Sequence, residues 1–216
     1  MPTDPLSTLA LATGGAFLGK FVGPAAESIG KVAWERAQQL GTRAHQMLAA
    51  VGREPQPVEP KILIPLVQAA ALESDETLAE KWAALLSNAA DPEKRAQVQP
   101  GFVEVLRQLT PMDAQVLEEM ALLQLHPEDS SISGYIAIPL LLRRFPKLQE
   151  DEFLIITGNI ARLGLCLGVG LQDVKKKGAF PFAPNAQYTT MGPGVDYLQL
   201  TPFSRAFLSA VTTPAL

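Results

Sequence analysis

The stretch from Lys61 to Leu109, KILIPLVQAAALESDETLAEKWAALLSNAADPEKRAQVQPGFVEVLRQL, constrains the fold of this chain more than any other. Its apolar residues can be buried together only if the stretch folds as three short helices in quick succession. In the first, Ile62, Leu63, Leu66, Val67 and Ala70 recur at helical spacing. Pro65 suits that helix only near its first turn, where the missing N–H costs nothing. The second opens on Ser74 or Asp75, either of which can accept a bond from an orphan N–H. Leu78, Trp82, Leu85, Leu86 and Ala89 then form one apolar stripe, with Glu76, Glu80 and Lys81 expected to face water. Asp91-Pro92 stops it. The third helix carries Phe102, Val105, Leu106 and Leu109.

Upstream, the pattern from Ala25 predicts a long helix through Ile29, Val32, Ala33, Arg36, Leu40, Ala44, Met47, Leu48 and Val51, ended by Gly52. Residues 53–60, REPQPVEP, read as a stiff proline-rich spacer. The stretch LSTLALATGGAFLGKFVGPAA before that helix carries a single charge, Lys20. On a helix Gly15, Gly19 and Gly23 line nearly one face, and Phe17, Leu18 and Phe21 surround it. Close backbone approach at such a seam suits self-association or contact with a membrane. Lys20 is costly in hydrocarbon, and the uncharged run is shorter than the ~20 residues needed to span. The membrane version is therefore an interfacial one, and its competitor is a helix packed closely on the protein body. The start, MPTDPLS, is acidic where a secretory signal is basic.

Downstream, Thr110-Pro111-Met112-Asp113 combines a cap, a proline at the first helical position and an acid near the positive end. Met112, Val116, Leu117, Met120 and Leu123 supply that helix's apolar side. A loop at 126–134 leads to a short helix from Ile138 to Phe145, then a helix from Glu150 to Leu163 with three acids in its first turn. Leu165–Leu171 reads as a strand, 173–194 as a long loop and Val195–Leu200 as the returning strand. Thr201-Pro202 repeats the cap and launches a last helix from Phe203 to Val211. Three helices and a two-stranded hairpin follow the order of a winged helix, whose third helix reads DNA in some members. Here that helix begins Glu150-Asp151-Glu152, which phosphate repels. Lys175, Lys176 and Lys177, with Arg143, Arg144 and Lys147, are the candidate phosphate contacts, although a tri-lysine on a loop is usually a solvated tip.

A net charge of −4 argues against general affinity for nucleic acid. With 47% hydrophobic residues the chain can bury a sizeable core. One cysteine excludes an internal disulfide and fits a cytoplasmic setting, with peripheral attachment at the inner membrane if the glycine-spaced segment acts there. Cys166 lies in an apolar run, where burial suppresses thiolate formation. Two histidines, His45 and His126, and that one cysteine are too few for a zinc site. Ser204, in FSRAF, lacks the strained elbow of a serine nucleophile. Gly164, Gly168 and Gly170 imitate part of a dinucleotide loop but read better as strand bends. The acids from Glu73 to Glu76 suit a helix start. Only the neighbourhood Gln68, Glu73, Lys81 and Asn88 offers polar groups from which a nuclease centre could be assembled. No catalytic residue, metal, cofactor or small-molecule substrate is indicated.

The run WAALLSNA at 82–89, preceded by a leucine-rich helix and an acidic cap, resembles the Abi-alpha family of bacterial proteins. So do PGFV at 100–103, LTPMDA at 109–114, RLGL at 162–165 and LTPFSRAF at 200–207, in that order. Ser204 departs from the family pattern, which usually has glycine there. The similarity runs from about Gly23 to the C-terminus. It implies abortive infection, phage defence by stopping the infected cell, and carries no catalytic residues across.

The expected fold is mostly α. It comprises a glycine-rich segment and long helix (1–52), the spacer (53–60), the three-helix block (61–109) and a winged-helix-like α+β module with a small two-stranded hairpin (110–216). The expected function is non-enzymatic phage defence through protein contacts or self-association. Two alternatives stand beside it: an immunity or antitoxin-type protein that neutralises a toxin, and a winged-helix DNA-binding regulator.

Overall fold

A computed structural model describes residues 31–125, 134–170 and 195–214. Among these the chain is mostly helical with a small antiparallel sheet, and it divides into two compact units. One unit takes the described residues up to Gln108 and those from Phe207 onward; the other takes those between Leu109 and Ala206.

In the first unit, α1 (Lys31–Ala50) packs along α3 (Glu76–Ala90). Ala37, Leu40, Ala44 and Leu48 of α1 are buried, one residue per turn. Gly52 stops α1 at φ +68, where the Arg53 N–H reaches the Leu48 carbonyl and the Gly52 N–H reaches Ala49. α2 (Pro60–Ala70) buries Ile62, Leu63, Leu66, Val67 and Ala70, as their spacing predicts. Pro65 lies beyond the first turn of α2, because the helix begins at Pro60; one intrahelical bond is therefore lost inside it. A short 3₁₀ turn (Arg95–Gln97) leads to α4 (Pro100–Gln108). The ring of Phe102 on α4 meets that of Phe207 edge to face, with centroids 5.8 Å apart.

Asp75, not Ser74, caps α3, accepting the Leu78 N–H at 3.0 Å. Glu73 Oε1 takes the N–H groups of Ser74 and Asp75, so the acids do serve the helix start. The expected single stripe on α3 is corrected: every residue from Lys81 to Ala90 is buried, Lys81 included. The reason is position, since α3 packs against α1, α2, α4 and the 3₁₀ turn. The run of alanines and small polar residues lets neighbours approach it all round.

The second unit begins with α5 (Pro111–Leu125), whose start is a reciprocal box: Thr110 Oγ1 accepts the Asp113 N–H and Asp113 accepts the Thr110 N–H. Asp113 is itself buried, and Met112, expected on the apolar side, is exposed instead. α6 (Ile138–Arg144) and α7 (Glu150–Arg162) follow. β2 (Cys166–Val169) pairs with β3 (Tyr197–Leu200) in the register Cys166 to Leu200 and Val169 to Tyr197. These two strands are the expected small hairpin, and the sheet gains a third member. A two-residue strand, β1 (Ile136–Ala137), pairs with the other edge of β3, giving the order β1-β3-β2. β1 is too short to show alternation, so periodicity could not reveal it. α8 (Pro202–Ala210) is the last described helix, its start capped by Thr201 Oγ1 on the Ser204 N–H.

Gly164 corrects another expectation. With φ +74 it ends α7: its N–H bonds Ala161 and the Leu165 N–H bonds Ile160. It is a helix stop rather than a strand bend.

Candidate functional site

Several buried polar groups among the described residues are engaged in holding the fold. Asn88 of α3 donates both amide hydrogens, to the carbonyls of Ala210 and Thr212, each at 2.8 Å. It thereby fastens the end of α8, whose last carbonyls have no helical partners. Asp91, fully buried, receives Arg53 Nη1 at 2.6 Å and the Glu93 N–H at 2.9 Å. With Val58 buried and the Gln56 N–H on the Ala90 carbonyl, the proline-rich segment is laid down against the end of α3. In the second unit Asp113 also accepts Asn159 Nδ2 at 2.8 Å, bonding α7 to α5.

These duties answer the sequence-level candidates. Asn88 and Glu73 are committed to backbone groups, while Gln68 is exposed and Lys81 buried. No cluster of three or more His, Cys, Asp or Glu able to hold a metal occurs among the described residues. His45 is exposed on α1, and His126 lies outside the described residues. Cys166 is buried, and desolvation pushes its thiol up to about 12. Ser204 is fully buried, and its hydroxyl has no partner among the described residues. Arg144 pairs with Glu119 at 3.1 Å, whereas Arg143 and Lys147 are exposed. The membrane or oligomerisation face at Gly15, Phe17, Leu18, Gly19, Phe21 and Gly23 lies outside the described residues, as do Lys175, Lys176 and Lys177.

Among the described residues, two features bear on function. The first is the outer face of α7, where Leu154 is 45% and Ile155 73% exposed beside the exposed acids Glu150, Asp151 and Glu152. The second is a cleft of about 100 Å³ in the first unit, between α1 and the α2–α3 connection. Arg36, Gln39 and Arg43 of α1 line one side, and Glu73, Ser74 and Glu76 the other, with Trp82 of α3 also in the lining. Arg43 pairs with Glu76 at 2.5 Å. Arg36 is half-buried with no ion pair among the described residues. Trp82 is 1% exposed, and its indole N–H has no acceptor among the described residues. The sequence pattern puts Arg36 in the long helix and Trp82 in an apolar stripe without linking them. Only their separation along the chain hid the link.

No helix among the described residues is long and apolar enough to cross a membrane. No curated protein and no solved structure matches the chain significantly. One family does match, over residues 35–211, from early in α1 to just past the end of α8: abortive infection alpha. The match points to abortive-infection-type defence, and it covers both units and most of the chain. The chain therefore belongs to the Abi-alpha family.

Proposed function

We propose that the protein acts in abortive infection by binding a protein partner, without catalysing a reaction. The carrying observation is the exposed face of α7. Its acids would repel phosphate, and Leu154 and Ile155 present apolar area that gains most from meeting another protein surface. The partner it fits presents apolar side chains flanked by lysine or arginine. The order helix, β1, two helices, β2, β3 supports a winged-helix-like module whose third helix serves protein contact instead of DNA. The commitment of Asn88, Asp91 and Asp113 to structural bonds supports the non-enzymatic reading.

The test is a phage challenge at high multiplicity, in cells carrying the wild type or Ile155→Arg. The wild type should cut the phage burst at least about tenfold while the infected cells stop growing, and Ile155→Arg should abolish both effects. At such an exposed position the substitution should change stability by less than about 0.5 kcal/mol. Protection that survives Ile155→Arg and Leu154→Arg together would overturn the α7 surface. Sustained growth of infected cells would overturn abortive infection and favour the immunity reading.

A further inference from the structure

Three donors around the cleft of the first unit lack acceptors among the described residues. Arg36 is half-buried, the exposed Gln39 stands on the same side of α1, and the Trp82 indole N–H is almost wholly removed from water. An indole nitrogen can only donate, so no rotation or proton shift satisfies it. A buried donor left without an acceptor is unfavourable, and the half-buried Arg36 beside it has no counter-charge among the described residues. The acids in the lining do not supply the missing acceptors. Glu76 is paired with Arg43, and Glu73 Oε1 takes two backbone N–H groups. The cleft is also larger than a single water requires.

We propose that this cleft binds a small oxyanion, a carboxylate or a phosphoryl group, through Arg36 and Gln39, beside Trp82 in the lining. Arginine presents a planar fork that matches two oxygens of either group, and the neighbouring donors add direction. The site is independent of the α7 surface, and its occupancy is read on purified protein without any phage assay.

Trp34 and Trp82 are the two tryptophans of the chain, so Trp34→Phe makes Trp82 the sole indole reporter. That full-length protein is titrated with inorganic phosphate and, separately, with succinate, each against potassium chloride at equal ionic strength. A saturable change in Trp82 emission together with a rise in Tm is expected in at least one arm. Saturation by phosphate alone assigns a phosphoryl ligand, by succinate alone a carboxylate. Arg36→Gln should raise Kd by about tenfold or more, as loss of a charge-assisted bidentate contact does. Gln39→Leu, at an exposed position that folding tolerates, should raise it about threefold and serves if Arg36→Gln does not fold. Responses no larger than with chloride in both arms would overturn the proposal. So would binding left unchanged by both substitutions.

Discussion

Cys166 and Asn88 show how individual side chains are held. The thiol of Cys166 has an ordinary value of 9.0, and burial in the fold raises it to about 12. Between these values the unfolded chain has lost the thiol proton while the folded chain keeps it. Stability should therefore fall as pH rises from about 9 toward 12. Urea unfolding at pH 8 and pH 10.5 should show a loss in the wild type that is smaller in Cys166→Ala. Equal losses would place the effect elsewhere. Asn88→Ala removes the two bonds that fasten the end of α8, and its cost should be about 2 kcal/mol by urea unfolding, since it strips partners from carbonyls beside a buried helix end.

Helix ends are where short sequence signals carried furthest. Thr110 with Asp113, Asp75 before α3, and Thr201 before α8 all hold the backbone groups that their types and positions suggested. Gly164 is the exception in kind: its sequence setting suggests a strand bend, whereas it ends α7. A Cβ there would meet nothing within 4 Å, so Gly164→Ala isolates the backbone term. Its cost should be about 1 kcal/mol, from forcing an L-residue into the left-handed region. A change below a few tenths, measured by thermal unfolding, would mean that the stop does not need φ near +74.

For the whole molecule, the family match spans both units, and the glycine-spaced segment precedes it. We propose that this segment, in which Gly15, Gly19 and Gly23 recur every four residues, attaches the protein to membrane surfaces. Flotation with anionic liposomes should carry the full chain upward and leave a variant lacking residues 1–26 at the bottom. Equal flotation of the two would remove membrane attachment and leave the α7 surface as the effector element.

The amino-acid order by itself determined the helices of both units, their stops at Gly52 and Asp91-Pro92, the buried set of α2 and the pairing of the two longer strands. Helical period, caps and prolines act over a few residues, so the information is local. Tertiary structure alone decided that α3 is buried all round, that Asp91 faces Arg53, that β1 completes the sheet and that Arg36, Gln39 and Trp82 share one cleft. Each of those outcomes depends on groups brought together from distant or differently oriented segments. Spacing along one element cannot encode which neighbour will cover it.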